Sequence, residues 1–437
     1  MLASLVLATV LQAPSTPAPA ATSDDARAAL EAAVDLPDPA ARRNAANALA
    51  ARKDVTLDAW LELARTFGRF DAQASGFRME HAALRVLDKV EETELHLYVP
   101  AKYDPSKPAP LLLAFHGTGG SGDQAVSFWK DVADALGMVV VGPTEAGKNE
   151  GYAFSDRERA AALAALRWAR RRFDVDEDRI FATGISRGGH LAWDLALRFP
   201  DRFAAIAPMI GSPRFNLTHG QNNLRFLENV VALPIRDLQG SKDDRNMLVN
   251  LHEAFAKLAA WKARDAMLIE FPDRGHDFDF DAVDWKEWLG AQKRDALTKR
   301  IVRAACEKTE ARTAWVELTG LAKDVVEDLK PSVQAKEWNA MDAAAQRKWL
   351  EGEVEKHTAR LEITCDAPGR FTATSTLVTS FRLLLPRELF DPAKPVVATW
   401  NGKKLEKRAR PDARVLIQEF VERFDRAFLP VAVVDGP

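Results

Sequence analysis

A serine in a glycine-rich turn is the first feature of this sequence that could carry out chemistry. Residues 184–189 read Gly-Ile-Ser-Arg-Gly-Gly, so Ser186 lies in a G-x-S-x-G pattern. A run typical of a buried strand precedes the turn at 179–183, and a helix-like stretch follows at 187–199. A serine on such a strand–turn–helix connection projects its hydroxyl group into a cleft. The pattern therefore predicts Ser186 as a nucleophile.

A nucleophilic serine needs a base, and three histidines follow Ser186 beyond the predicted helix: His219, His252 and His276. His276 ends the sequence Asp-Arg-Gly-His, directly after the last predicted strand at 267–271. His219 lies in a polar stretch and His252 in a helix-like one. Because a base must reach the turn from a loop at the end of a strand, we predict that His276 is the base.

An acid that orients the base should follow the strand predicted at 234–238. The loop there reads Gln-Gly-Ser-Lys-Asp-Asp over residues 239–244. Asp243 is the predicted acid, and Asp244 is the alternative. Such a carboxylate fixes the tautomer of the histidine and stabilises its protonated form.

A second glycine-rich loop could stabilise negative charge on a reacting carbonyl oxygen. It reads His-Gly-Thr-Gly-Gly at 116–120 and follows an apolar strand at 111–115. In this arrangement one backbone N–H comes from the loop and the other from the residue after the nucleophile. The predicted oxyanion hole consists of the backbone N–H groups of Thr118 and Arg187.

Strand and helix patterns alternate over residues 76–295, which is typical of a doubly wound, mostly parallel sheet. The segments 77–81 and 94–99 alternate apolar and polar residues and predict an antiparallel edge. The buried strands are predicted from short apolar runs at 111–115, 138–141, 179–183, 203–208, 234–238 and 267–271. Amphipathic helices are predicted at 157–172 and 187–199.

The flanking regions have other patterns. Residues 22–75 predict an N-terminal segment of two or three small helices. Residues 296–355 are charged and helical in pattern. For 296–437 as a whole the sequence predicts a helical linker and a small β-rich accessory domain, with the β part over about 310–437. Within it, Asn401-Gly402 between two alternating runs predicts a type I′ hairpin.

Residues 1–21 predict a signal peptide and therefore a secreted or periplasmic protein. Residues 2–11 form an apolar run that is too short to span a bilayer, and small residues follow at 18–21. No other stretch predicts a membrane span.

Charge and cysteine content exclude several classes of protein. The net charge of −3 provides no electrostatic basis for binding nucleic acid. Two cysteines, Cys306 and Cys365, are too few for a zinc ribbon or a disulfide scaffold. One disulfide and two buried free thiols both remain open.

Together these motifs resemble the α/β-hydrolase superfamily over residues 93–292. The resemblance rests on HGTGG (116–120), GISRGG (184–189), QGSKDD (239–244) and RGH (274–276), which occur in the family's order. The similarity is strongest to secreted esterases of the polyhydroxybutyrate depolymerase-like and feruloyl-esterase-like kind.

The resemblance implies an α/β-hydrolase fold and hydrolysis of small-molecule or polymeric carboxylic esters through an acyl-enzyme. It implies no cofactor and no metal. Two positions depart from the family pattern: Gln239 stands where His is frequent, and Arg187 where Met is common. From its position, Arg187 is expected to alter the acyl pocket or to favour a charged substrate.

Two other functions fit the same residues. One is a serine peptidase of the prolyl-oligopeptidase kind, which would use the same triad on peptide amides. The other is a non-catalytic protein with a vestigial triad, whose β-rich C-terminal part binds a polysaccharide or a cell surface.

Overall fold

The computed structural model describes residues 19–144, 151–216, 220–329 and 333–436. Residues 1–18 of the predicted signal peptide lie outside these ranges, as does His219. Within the described ranges, no helix is long and apolar enough to cross a lipid bilayer.

Three helices begin the described chain: α1 (Pro19–Asp35), α2 (Pro39–Ala50) and α3 (Leu57–Arg65). The side chains of Asp38 and Thr56 cap α2 and α3 by accepting backbone N–H groups of the first turn. The helices predicted for this segment are confirmed.

An eight-stranded sheet follows, and it is the element that positions the candidate site. Its strand order is β1-β2-β4-β3-β5-β6-β7-β8. Strands β1 and β2 pair antiparallel, β2 also pairs antiparallel with β4, and the other pairs are parallel. The bounds are β1 (Gly76–Val86), β2 (Lys89–Val99), β3 (Ala109–Phe115), β4 (Val139–Thr144), β5 (Val175–Ile185), β6 (Ala205–Met209), β7 (Ile235–Gly240) and β8 (Ala266–Phe271). The predicted mostly parallel sheet with an antiparallel edge is confirmed.

Helices cover both faces of this sheet, and three of its inner strands are therefore buried along their whole length. Every residue of β3, β4 and β6 is buried. The helices are α4 (Gly122–Ser127), α5 (Lys130–Leu136), α6 (Asp156–Arg172), α7 (Arg187–Arg198), α8 (Arg245–Ala260) and α9 (Trp285–Gly290). A 3-10 helix at Asn223–Val230 follows β6 and packs beneath α7.

The described residues of the C-terminal region form two smaller sheets and three α-helices. One sheet has the order β10-β11-β14-β17 and the other β16-β15-β13-β12-β9. The strands are β9 (Arg300–Ala305), β10 (Arg312–Thr313), β11 (Val316–Leu321), β12 (Ala359–Ala367), β13 (Arg370–Thr376), β14 (Val378–Leu385), β15 (Val396–Trp400), β16 (Lys403–Lys407) and β17 (Ala432–Asp435). The helices are α10 (Ala335–Ala340), α11 (Ala343–Lys356) and α12 (Ala413–Arg423).

The hairpin prediction is confirmed, since β15 and β16 pair antiparallel across Asn401 (φ 46°) and Gly402 (φ 79°). The helical linker predicted from residue 296 is wrong for its first part, because β9 occupies Arg300–Ala305. Strand β9 could not be predicted from its sequence, because its two arginines interrupt the apolar pattern of a buried strand. Arg303 lies opposite Leu361 in the sheet and is fully buried, where its Nη2 donates to the carbonyl oxygen of Arg198 at 2.7 Å.

One hydrophobic core joins the start of the chain to its end. Trp60 of α3 and Trp315 beside β11 are both buried in it. Phe67, just after α3, packs its ring 5.1 Å from the rings of Phe420 and Phe424, at α12. The N-terminal helices therefore complete the core of the C-terminal sheets, and the domain limits at 75 and 296 stay predictions.

The two cysteines are both buried free thiols, so the disulfide left open by the sequence is absent. Cys306 packs with the core of the main sheet, whereas Cys365 packs with the C-terminal core.

Candidate active site

Ser186 occupies a strained turn between β5 and α7. Its backbone has φ 56° and ψ −112°, in a region that L-residues with side chains rarely adopt. The turn is held by two backbone hydrogen bonds. The N–H of Ser186 donates to the carbonyl oxygen of Met209 at 2.9 Å, and the N–H of His190 donates to the carbonyl oxygen of Ser186 at 3.0 Å.

The glycines of the G-x-S-x-G pattern are required by close backbone contacts. A Cβ atom on Gly184 would lie 2.3 Å from the carbonyl carbon of Gly188. A Cβ atom on Gly188 would lie 2.1 Å from the carbonyl oxygen of Phe115 in β3. Helix α7 therefore begins in contact with the backbone of two strands, and only glycine fits at these positions.

Ser186, His276 and Asp243 form a continuous chain of hydrogen bonds. Nε2 of His276 lies 2.8 Å from Oγ of Ser186, and Nδ1 of His276 lies 2.8 Å from Oδ2 of Asp243. The Asp243 side chain is 7% exposed, whereas that of His276 is 49% exposed. The imidazole is thus open to a substrate on one side and bound to a buried carboxylate on the other.

The two adjacent aspartates have different surroundings. The carboxylate of Asp243 accepts hydrogen bonds from Nε2 of Gln239 and from the backbone N–H of Asp244, both at 2.7 Å. The carboxylate of Asp244 instead caps α8, where it accepts the N–H groups of Asn246 and Met247 at 3.0 Å each. The structure therefore brings Asp243, and not Asp244, to the histidine.

Gly240 allows the acid loop and the base loop to touch. A Cβ atom at Gly240 would lie 1.9 Å from the carbonyl oxygen of Gly275. The N–H of Lys242 also donates to the carbonyl oxygen of Arg274 at 2.7 Å. These contacts fix the distance between the loops and hence the separation of Asp243 and His276.

The loop that contains Thr118 lies against the serine turn. Residues Gly117 to Gly120 form a tight turn closed by an N–H···O=C bond of 3.0 Å, with Gly119 at φ 75°. A Cβ atom on Gly117 would lie 3.6 Å from Cβ of Ser186. Arg187 begins α7, and the first N–H groups of a helix have no acceptor within the helix. The donor roles of Thr118 and Arg187 stay predictions.

The Arg187 side chain does not fit the expectation that it shapes the acyl pocket. Its Nη2 binds Oε1 of Glu158 at 2.8 Å, and the two side chains are 4% and 8% exposed. Glu158 also completes the capping box of α6 with Ser155. The guanidinium therefore ties α7 to the start of α6.

The other residues of interest have structural environments. His252 is on α8 and binds Oε1 of Glu270 at 2.8 Å, away from Ser186. Gln239, which departs from the family pattern, is a site residue that the motifs alone did not indicate. Its place at the end of a buried strand, four residues before Asp243, was the signal for its role. In the described ranges, no group of three His, Cys, Asp or Glu residues is arranged to hold a metal ion.

His190 lies behind the serine on the first turns of α7. Its Nδ1 is 3.0 Å from the backbone nitrogen of Ser212 and 2.8 Å from the carbonyl oxygen of Ser212. The centre of its ring lies 5.7 Å from that of Phe154. Burial lowers the pKa of His190 from its ordinary 6.5 to about 4. The imidazole is therefore uncharged at neutral pH.

We expect His190 to make the fold acid-sensitive. Because the unfolded chain binds this proton near pH 6.5 and the folded chain only near pH 4, its contribution to stability is complete above pH 6.5 and is lost as pH falls toward 4. Over this range, the wild-type free energy of unfolding should fall by about 3 kcal/mol more than that of His190→Asn. Urea unfolding at pH 7 and pH 4 measures the difference, and equal losses for the two proteins would contradict it.

Comparison with known proteins agrees with this geometry. A family model described as "Putative esterase" matches residues 90–288. A probable feruloyl esterase C of Aspergillus flavus is 25% identical over 184 residues, which are 40% of this chain and 67% of that protein. Feruloyl esterase C of Emericella nidulans is 28% identical over 197 residues, covering 42% and 72% of the two chains.

A poly(3-hydroxyalkanoate) depolymerase C of Paucimonas lemoignei is 28% identical over 117 residues, which are 24% of this chain and 28% of that protein. A solved thermostable esterase aligns with 50% of this chain and 63% of its own, at 22% identity and a TM-score of 0.41. The family match, the curated relatives and the strand order agree with the resemblance drawn from the motifs. Residues 90–288 are therefore similar to esterases of the α/β-hydrolase superfamily.

Proposed function

We propose that this protein is a serine hydrolase that cleaves carboxylic esters through an acyl-enzyme, with Ser186 as nucleophile, His276 as base and Asp243 as the orienting acid. The observation that carries the proposal is the chain of two 2.8 Å hydrogen bonds from Ser186 through His276 to Asp243. The esterase family match supports the reaction class. No observation favours the peptidase or the binding-protein alternative.

In the first half-reaction, Nε2 of His276 takes the proton of Ser186 as Oγ attacks the ester carbonyl carbon. The negative charge on the carbonyl oxygen is stabilised by the backbone N–H groups of Thr118 and Arg187. Because these donors are held in place by the fold, no solvent has to reorient during the reaction. The C–O bond then breaks, and His276 gives its proton to the departing alcohol.

In the second half-reaction, water replaces the alcohol. His276 takes a proton from the water as its oxygen attacks the acyl carbon, and the acid leaves as the proton returns to Ser186. The carboxylate of Asp243 accepts the Nδ1 proton throughout, which keeps Nε2 available and stabilises the imidazolium. Gln239 holds that carboxylate in place.

Hydrolysis of p-nitrophenyl acetate and butyrate tests this proposal. We expect Ser186→Ala to lower kcat by about 10⁴- to 10⁶-fold, because it removes the nucleophile. We expect Asp243→Asn to lower kcat by about 10⁴-fold, because an amide stabilises the wrong tautomer of His276. Asp244→Asn is the matched control. It makes the same chemical change one residue away, asparagine caps a helix as well as aspartate, and activity should stay within about twofold.

Circular dichroism and the melting temperature of each variant separate loss of activity from loss of fold. Equal loss in Asp243→Asn and Asp244→Asn would contradict the assignment of the acid. A wild-type protein that is inert on both esters but cleaves peptide amides would replace the proposal with the peptidase alternative.

We propose in addition that the protein is exported. The supporting observation is the apolar run at 2–11, which has the length of a signal-peptide core and is followed by small residues at 18–21. Expression of the full chain in a secreting bacterial host should yield an exported form that begins near residue 22. N-terminal sequencing and intact mass measure this, and protein found only in the cytoplasm with residues 1–21 retained would contradict it.

A further inference from the structure

The loop after β6 follows the first turns of α7, beside the serine. Met209 ends β6 and accepts the N–H of Ser186. A Cβ atom on Gly211 would lie 2.6 Å from the backbone nitrogen of His190, and Ser212 contacts Nδ1 of the same histidine. Arg214 comes two residues after Ser212, so its backbone follows directly on a segment that contacts the first turns of α7.

The backbone of Arg214 is anchored on both sides. Its N–H donates to Oδ1 of Asn223 at 2.7 Å, and its carbonyl oxygen accepts the N–H of Leu224 at 2.9 Å. Its guanidinium carbon lies 5.8 Å from the centre of the Phe154 ring, which in turn packs against His190. The side chain is partly exposed and lies against Phe154.

Among the residues that the structure describes, Arg214 differs from the other arginines around α7 because it has no anionic partner. Arg159 and Arg198 pair with Asp194 at 2.9 and 3.1 Å, and Arg187 pairs with Glu158 at 2.8 Å. In the part of the chain that the structure describes, Arg214 makes no ion pair, and its buried Nε has no hydrogen-bond acceptor. A guanidinium with a buried N–H and no counterion retains the capacity to bind an anion.

The charge of Arg214 also acts on groups of the site. Burial has the largest effect and lowers the pKa of His190, and the hydrogen bond with Ser212 raises it. Arg214 and His276 lower this pKa further, whereas Asp243 raises it. Arg214 therefore lies near enough to His190, on the helix that follows Ser186, for its charge to act there.

We propose that Arg214 binds a carboxylate of the substrate, so that the preferred substrates are esters with a carboxylate group a few bonds from the scissile carbonyl. The inference rests on the proposed esterase function and adds the substrate class. The planar fork of the guanidinium matches the two oxygens of a carboxylate, and the partly buried position strengthens the pairing. The substrate would supply the counterion that the described chain does not.

Paired substrates test the inference on each side of the ester bond. On the acyl side, mono-4-nitrophenyl adipate is compared with 4-nitrophenyl hexanoate, which has a terminal methyl group in place of the carboxylate. On the alcohol side, 3-acetoxybenzoate is compared with phenyl acetate. We expect the wild-type kcat/KM to be about tenfold or more higher for the charged member of at least one pair.

Three variants assign that preference to a residue. Arg214→Gln should abolish the preference and leave kcat/KM for the neutral ester within about twofold, since a hydrogen bond to a charged group is the interaction lost. Arg214→Lys, which keeps the charge without the fork, should retain part of it. Arg264→Gln is the control, because Arg264 is exposed just before β8, at the opposite end of the sheet from Ser186. A wild type without the preference, or an Arg214→Gln variant that loses both esters of a pair equally, would overturn the inference.

Binding without turnover separates this inference from the proposed function. Calorimetric titration of Ser186→Ala with monoethyl adipate and with ethyl hexanoate should show tighter binding of the charged ester. In the double variant Ser186→Ala with Arg214→Gln, the two esters should bind equally. If the wild type hydrolyses neutral esters but this difference is absent, the esterase function stands and the role of Arg214 fails. If the difference is present but the wild type hydrolyses no ester, the carboxylate site stands and the esterase function fails.

Discussion

The positive φ of Ser186 is the constraint on which the rest of the site depends. A side chain in that conformation is strained, and the strain persists because the turn is bonded to β6 and because α7 begins against the backbones of β3 and β5. The close approaches at Gly184 and Gly188 leave no room for a Cβ atom. The strained backbone conformation of Ser186 also places its Oγ at the carboxyl ends of the strands, where the acid and base loops reach it.

The parallel sheet explains how residues separated by 90 positions come within hydrogen-bond distance. The serine, acid and base loops follow β5, β7 and β8, whose carboxyl ends lie at one edge. Gly240 brings the acid and base loops into backbone contact. Nε2 of Gln239 donates a hydrogen bond to the Asp243 carboxylate. Backbone contacts at the edge of the sheet therefore fix the relative positions of the three side chains, and catalysis requires such precise placement.

Local patterns predicted the parts of the structure that depend on neighbouring residues. Buried strands are apolar runs, and the turn at Ser186 has its own glycine pattern, so both could be predicted from the sequence. The choice between Asp243 and Asp244 could not, because it depends on which carboxylate caps α8. Strand β9 was missed since Arg303 is buried by partners distant in the chain, and the pairing of the N-terminal helices with the C-terminal core leaves no local pattern. Arg187 was expected at the acyl pocket, but Glu158, 29 residues earlier, binds it.

Active-site labelling measures whether the turn at 186 presents a serine that His276 activates. The folded protein is treated with a fluorophosphonate, which phosphonylates activated serines, and the adduct is located by peptide mass spectrometry. We expect a single adduct on Ser186. The adduct should form at least about 100-fold more slowly in His276→Gln than in the wild type, because the base that takes the proton is missing. An adduct on another serine, or equal labelling rates for the two proteins, would contradict it.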